Sequence, residues 1–132
     1  MKSSENFELE EFTKSATAER RNISNVPGAE EIKNITNLVT RLLQPLRDIY
    51  KEPFTINSGF RSLALNKEIG GAPSSQHLKG EAADVKVKEP NKLLSTLIKS
   101  RLEFDQAILY PTFLHLSFKD GKNRNVILYA KG

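Results

Sequence analysis

Hydrophobic residues recur at helical spacing in three parts of the chain. Residues 7–20 and the segment Glu30–Tyr50 place apolar side chains three and four positions apart, as one buried helix face requires. Pro45 lies inside the second segment and has no amide hydrogen, so we expect a kink or a break near Arg41–Pro45. A third helix is predicted over Pro90–Ser100. Its inward side chains should be Leu93, Leu94, Leu97 and Ile98.

Shorter segments have the composition and the alternation of half-buried strands. These predicted strands are Phe54–Asn57, Ala83–Val87, Phe104–Leu109, Leu114–Phe118 and Val126–Tyr129. A short helix should begin with Ser62 as its N-cap and end at Gly70-Gly71, before a polar loop over Ala72–Gly80. A turn at Asp120-Gly121 should join the last two strands. The elements predict an α+β fold, with a small antiparallel sheet and helices packed on one face.

The length of 132 residues and the absence of internal repeats predict a single domain over 1–132, with 1–6 flexible. With 38% apolar and 27% charged residues, the chain falls outside the disordered and low-complexity classes. No stretch has the roughly 20 apolar residues of a membrane span, and the first residues do not form a secretion signal. We therefore expect a monomer made in the cytosol without a leader and without membrane insertion.

The charge balance gives only a weak indication of a partner. Twenty Lys and Arg residues against 16 Asp and Glu residues leave a net charge of +4. The densest basic cluster, Lys119, Lys122 and Arg124, is interrupted by Asp120, so no basic stripe suited to nucleic acid is present. The expected role of this cluster is a solvated surface, and no nucleic-acid partner is predicted.

The chain has no cysteine and only two histidines, so a metal would be held by histidine and carboxylate. His77 lies in the polar loop, whereas Asp84 and His115 lie in two predicted strands. Two imidazoles and one carboxylate leave a fourth tetrahedral position for water, as in catalytic zinc sites. A histidine on a strand is also often a hydrogen-bonded surface residue, and spacing alone leaves both interpretations open.

The alternation along two strands places the candidate ligands on one side of the sheet. In the strand Leu114–Phe118 the apolar residues share a face, so His115 and Ser117 point to the other. In Ala83–Val87, Asp84 likewise lies opposite the apolar side chains. The metal face is therefore expected on the side of the sheet that does not pack on the helices.

A longer motif adds a family resemblance to this pattern. The pattern Ser-x-His-x-x-Gly-x-Ala-x-Asp is complete over residues 75–84, and Phe104-Asp105-Gln106 and Leu114-His115-Leu116-Ser117 follow it. The chain resembles the zinc D-Ala-D-Ala carboxypeptidase family, which has the hedgehog-type peptidase fold, and in particular its short phage-type peptidoglycan peptidases. The resemblance begins at Leu9 and covers nearly the whole chain. It implies Zn²⁺ as the cofactor and His77, Asp84 and His115 as its ligands.

The resemblance also implies roles for two polar residues. Arg61, which follows the predicted strand Phe54–Asn57, should face the site and either stabilise an oxyanion or hold a substrate carboxylate. Ser75 matches a serine that hydrogen-bonds the substrate, although it could equally order the loop.

The general base is where the sequence departs from the family. Members usually have an acid a few residues before the second histidine, but Tyr110-Pro111-Thr112-Phe113-Leu114 contains none. Tyr110 falls where hedgehog-type sequences place a glutamate and could donate a hydrogen bond to the oxyanion. The remaining candidates for the base are Asp105, which we favour, and Glu81.

The predicted function is a zinc metallopeptidase that cuts peptidoglycan stem peptides at the bacterial cell wall, as a phage or prophage product. Carboxypeptidase and endopeptidase activity both remain open. The missing acid allows an alternative, a weak or inactive zinc-bound module that binds wall peptides or a protein partner. Binding to nucleic acid, indicated only by the basic pI, is the least favoured reading.

Overall fold

The computed structural model describes residues 4–130 and confirms the α+β class. The described helices are α1 (Leu9–Thr13), α2 (Ala16–Arg21), α3 (Ala29–Leu38), α4 (Gln44–Tyr50), α5 (Leu63–Glu68) and α6 (Pro90–Ser100). The described strands are β1 (Thr55–Ser58), β2 (Ala82–Lys86), β3 (Gln106–Leu109), β4 (Phe113–Ser117) and β5 (Val126–Tyr129). A π-helical turn over Val39–Leu43 joins α3 to α4, and a 3₁₀ helix over Gln76–Lys79 precedes β2.

The expected irregularity around Pro45 is confirmed. Pro45 occupies the first turn of α4, where its missing amide hydrogen costs little, and the preceding π-helical turn absorbs the change in hydrogen bonding. The apolar stripe nevertheless stays continuous through the turn, and this part of it is fully buried. Its members are Leu38, Val39, Leu42, Leu43 and Leu46.

Two details of the predicted helices are wrong. Residues 7–20 form two helices rather than one, because Lys14 is extended and the Ser15 side chain caps α2 by accepting a hydrogen bond from the amide of Ala18. Ile98 of α6 is 50% exposed, since it lies at the edge of an apolar face whose centre is formed by other leucines. Those buried leucines are Leu93, Leu94 and Leu97.

The sheet has the order β1-β2-β4-β3-β5, and its pairs are antiparallel except the last. β5 pairs in parallel with β3, so the predicted hairpin between the last two strands does not form. β4 already has partners on both sides, in β2 and β3, so β5 pairs at the outer edge of β3 instead. The turn at Lys119–Lys122 therefore begins a loop that leads the chain to that edge.

One face of the sheet packs against the helices and forms the core. The residues that β2, β4 and the residue after each strand contribute to it are Ala83, Val85, Val87, Leu114, Leu116 and Phe118. The opposite face carries Asp84 and His115, as the alternation predicts. Ser4 and Asn6 form hydrogen bonds with Gln44, residues 1–3 lie outside the described part, and flexibility of 1–6 stays a prediction. Within the described part, no helix is long and apolar enough to cross a membrane.

Candidate metal centre

The register of the sheet brings two of the predicted ligands together. Asp84 on β2 lies directly opposite His115 on the neighbouring strand β4. Directly opposed residues on one face of an antiparallel pair have neighbouring side chains. The His115 Nδ1 atom is 2.8 Å from the Asp84 Oδ1 atom. The two strands alone therefore supply two of the three predicted ligands.

His77 reaches the same place from the 3₁₀ helix. The Ser75 hydroxyl caps this helix by accepting a hydrogen bond from the amide of His77 at 3.2 Å. The His77 ring is fixed by a 2.6 Å hydrogen bond between its Nδ1 atom and the carbonyl oxygen of Gly59, just after β1. The amide of Arg61 donates to the carbonyl of His77 at 3.1 Å. The loop carrying His77 is thus held to the end of β1 by side-chain and backbone bonds.

Two glycines permit this close packing. A Cβ atom at Gly59 would lie 2.7 Å from the Cα and carbonyl oxygen of Phe12, so no larger residue fits without moving the backbone. Gly80 ends the 3₁₀ helix with a φ of +74°, in the left-handed region, and a Cβ there would lie 2.6 Å from the carbonyl oxygen of Glu31. Gly59 itself supplies the carbonyl that fixes the His77 ring, and Gly80 ends the 3₁₀ helix three residues after His77.

The donor atoms fit a zinc ion. One nitrogen of each histidine and one Asp84 oxygen lie within 4.8 Å of one another, and the His77 Nε2 atom is 3.4 Å from Asp84 Oδ1. Zinc ligands at about 2.0–2.2 Å in a tetrahedron lie about 3.4 Å apart. His77 Nε2 is buried and has no hydrogen-bond partner among the described residues. Because Nδ1 bonds to Gly59, this Nε2 atom carries the lone pair that a metal needs.

The electrostatics of the centre favour an ionised carboxylate. Burial by itself raises the pKa of Asp84, but the hydrogen bond with His115 and the nearby His77 imidazole outweigh it and hold the pKa well below its usual range. An ionised aspartate between two imidazoles is the charge state that a divalent cation requires.

The centre opens into a cavity of about 640 Å³ on the exposed side of the sheet. Arg61 lines it, with its Nη2 atom 4.0 Å from Asp84 Oδ2 and its Nη1 atom donating to Asn66 Oδ1 at 3.2 Å. Burial lowers the pKa of Arg61, and the negative charge of the nearby Asp84 offsets part of this decrease. The predicted residues Ser75 and Tyr110 also line the cavity. The Tyr110 ring stacks on Phe113 at 4.3 Å, which fixes its position at the rim.

The structure does not bring the two candidate bases into this cavity. Asp105 is fully buried, and its oxygens accept hydrogen bonds from Gln76 and from the guanidinium and amide of Arg124. The hydrogen bonds from Arg124 lower the pKa of Asp105. Glu81 lines a separate cavity with Lys79, and burial raises its pKa. A base role for either residue stays a prediction, and their surroundings argue against it.

The cavity wall also contains several polar residues that the sequence pattern does not assign to the site. The residues that line it beside the metal ligands are Gln76, Gln106, Lys119 and Arg124. The alternation along β4 carries a signal for Lys119, because it follows His115 and Ser117 at intervals of two residues. Arg124 lies in the loop after β4, where no periodic pattern indicates its direction.

Fold and site together define the class of the protein. His77, Asp84 and His115 would hold a metal ion beside a cavity on the open face of the α+β sheet, and two histidines with one carboxylate are a ligand set of catalytic zinc sites, so the class is that of a zinc metalloenzyme.

Comparison with known proteins identifies the family. Residues 5–117 match the sequence profile of peptidase M15. A 34-residue segment is 50% identical to the zinc D-Ala-D-Ala carboxypeptidase of Streptomyces albus G, and it covers 26% of this chain and 13% of that enzyme. The chain belongs to the peptidase M15 family, because the profile covers most of its length. The family assignment confirms the predicted resemblance and the prediction of a zinc metallopeptidase.

Proposed function

We propose that the protein hydrolyses a peptide bond involving a D-amino acid in peptidoglycan stem peptides. The observation that carries the proposal is the His77, Asp84 and His115 group, which opens into a polar cavity. The Streptomyces enzyme, which shares a segment with this chain, is named for D-Ala-D-Ala substrates. When bound, zinc supplies a Lewis acid and lowers the pKa of a coordinated water.

The residues around the metal would bind and orient the substrate. The Arg61 guanidinium, held by Asn66 and facing Asp84, is placed to stabilise an oxyanion or to hold a substrate carboxylate. The Tyr110 hydroxyl, which lines the same cavity, would donate a hydrogen bond to the same oxyanion. The Ser75 hydroxyl already caps the 3₁₀ helix and would accept or donate one further bond to the peptide.

The space around Arg61 favours an extended peptide. Arg61 also lines a second cavity of about 540 Å³, together with Ile56 and Asn57 on the outer strand β1. A peptide crossing Arg61 would occupy both cavities, so residues on both sides of the scissile bond would be bound. This arrangement supports endopeptidase activity at least as well as carboxypeptidase activity.

Mass spectrometry of digested wall fragments tests the proposal. Zinc-loaded wild-type protein should release new peptide termini from stem peptides that contain D-amino acids, and the position of the cut identifies the bond. Arg61→Lys should reduce kcat/KM by about tenfold or more, because lysine lacks the two parallel N–H donors with which a guanidinium binds a carboxylate or an oxyanion. Absence of any cleavage by zinc-loaded protein across wall types would refute the proposal.

One observation favours a second candidate function, a weakly active module that binds wall peptides. Among the described residues that line the cavity, Asp84 is the one carboxylate, so no second acid is placed to accept a proton from water. Tyr110 stands where the resemblance places a glutamate. Under this alternative, Tyr110→Glu should raise the rate of hydrolysis, whereas Tyr110→Gln should not. A lower rate for Tyr110→Glu than for Tyr110→Gln would argue against it.

A further inference from the structure

The wall of the metal cavity is rich in positive charge. Besides Arg61, the side chains of Lys119 and Arg124 line it, whereas Asp84 is the one carboxylate among its described lining residues. Because Asp84 is committed to the metal centre, these cations have no acidic partner within the cavity itself. The sequence assigns Lys119 and Arg124 to a solvated surface cluster, but the fold directs them toward the site.

Arg124 is held in place from behind by Asp105. Its Nε atom donates to Asp105 Oδ1 at 2.9 Å, and its Nη2 atom donates to Oδ2 at 2.8 Å. Asp105 is 0% exposed, whereas the Arg124 side chain is 54% exposed. Nη1 takes no part in this paired contact, so a fixed guanidinium presents unused donors to the cavity.

The acids near these cations lie outside the metal cavity. Both oxygens of Asp105 are occupied, one by Arg124 alone and the other by Arg124 and Gln76, and Asp105 does not line the cavity. Lys119 also lines a neighbouring cavity that contains four acids, but none of these acids lines the metal cavity. They are Glu30, Glu31, Glu81 and Asp120. A ligand in the metal cavity therefore meets the cations first.

We propose that Lys119 and Arg124 form an anion subsite for a substrate carboxylate that is distinct from the groups at the scissile bond, with Asp105 as the positioning residue of Arg124. The inference rests on the proposed function and deepens it. Stem peptides carry a free carboxylate on D-glutamate and another at the C-terminus. The Lys119 ammonium and the Arg124 guanidinium, which line one cavity, match the charge of such a group.

The test compares peptides in which one carboxylate at a time is converted to an amide. Synthetic pentapeptide stems with a free or amidated D-glutamate, and with a free or amidated C-terminus, are offered to zinc-loaded protein. Wild type should prefer one free acid over its amide by about tenfold to a hundredfold in kcat/KM, the range for a hydrogen-bonded charge. The arm that loses rate identifies the carboxylate that binds.

Two matched lysine variants test whether Lys119 causes the preference for the free acid over its amide. Lys119→Gln should lose most of the preference for the acid, because its rate should fall further with the acid than with the amide. Lys122→Gln removes the same charge three residues away, from an exposed side chain that does not line the metal cavity, and should keep the preference. Equal cleavage of every acid and amide pair by wild type, or equal loss with both peptides in Lys119→Gln, would overturn the subsite.

Calorimetric binding keeps this inference separate from the proposed function. If zinc-loaded wild type cleaves none of the peptides, the proposed function fails, and binding of the same pairs then tests the subsite. Tighter binding of one acid than of its amide, lost in Lys119→Gln and kept in Lys122→Gln, would support it. Indistinguishable binding of the pairs would refute it.

Asp105→Asn distinguishes a positioning residue from a general base. A positioning role predicts a reduced preference for the acid, with little change in the rate on the amide. A base role predicts a large and equal loss on both peptides, with the preference intact. That second result would return Asp105 to the catalytic role predicted from the sequence and remove it from the anion subsite.

Discussion

Asp84 is the residue that links the two halves of the metal centre. Its Oδ1 atom faces a ring nitrogen of His115 at 2.8 Å and one of His77 at 3.4 Å. The strand register supplies the first contact, whereas the second depends on the bond between His77 and the carbonyl oxygen of Gly59. The position of His77 in the metal centre therefore depends on the backbone at Gly59.

We predict that Gly59→Ala destabilises the protein and weakens zinc binding. The new methyl group would meet the backbone of Phe12 at 2.7 Å, and overpacking of this kind costs about 1–3 kcal/mol. Denaturant unfolding and competition with a chromophoric chelator measure the two effects. Gly28→Ala is the control, because its methyl group meets only the end of the Glu31 side chain. Zinc affinity as high in Gly59→Ala as in wild type would contradict the account.

Asp105 gives a prediction about pH. Its hydrogen bonds with Arg124 lower its pKa in the folded state, so the stabilisation is present above the unfolded pKa of about 3.9 and is lost as pH falls through the folded value. Asp105→Asn should therefore lower the Tm at pH 7, and the difference from wild type should shrink below about pH 4. Thermal unfolding of both proteins between pH 3 and pH 7 measures it. A constant difference across this range would show that ionisation of Asp105 is not the cause.

The 3₁₀ helix over Gln76–Lys79 is the element that determines where His77 lies. It has only one turn, so its position depends on the Ser75 cap at its start, on Gly80 at its end and on Asn34, whose side chain donates to the carbonyl of Lys79 at 2.9 Å. A short element of this kind has little stability of its own. The residues that hold this helix in place therefore also hold the metal ligand His77 in place.

Ser75→Ala tests whether this serine orders the loop or binds the substrate. Loss of the cap should cost about 1 kcal/mol of unfolding free energy and reduce zinc affinity, because the amide of His77 loses its partner. Ser75→Thr keeps the hydroxyl and should restore both quantities. If Ser75→Ala keeps wild-type stability and zinc affinity but raises KM alone, the serine acts on the substrate instead.

The sequence predicts the elements near the ligands well and the distant contacts poorly. Strand alternation is a local property, so the side of the sheet that carries Asp84 and His115 follows from neighbouring residues. The parallel pairing of β5 with β3 is not local, because it depends on which strand edge remains free after β4 is paired. The partner of Asp105 is missed for the same reason, since Arg124 lies 19 residues away in an irregular loop.

At the scale of the whole molecule, the metal would join parts of the chain that are far apart in sequence. His77 comes from the 3₁₀ helix, and Asp84 and His115 come from the neighbouring strands β2 and β4. Zinc bound to the folded state alone should stabilise all these elements together, by about 2.7 kcal/mol at a hundredfold excess over Kd. The helices on the other face of the sheet contribute no ligand among the described residues.

The zinc content of purified protein, determined by elemental analysis, tests the central claim most directly. Wild type should hold one zinc per chain, and His77→Ala and Asp84→Asn should each lose most of it. Asp120→Asn removes an exposed carboxylate that pairs with Arg41 outside the centre, and it should keep the full content. Wild type without zinc, or His77→Ala and Asp84→Asn with as much zinc as Asp120→Asn, would contradict the assignment of the metal centre.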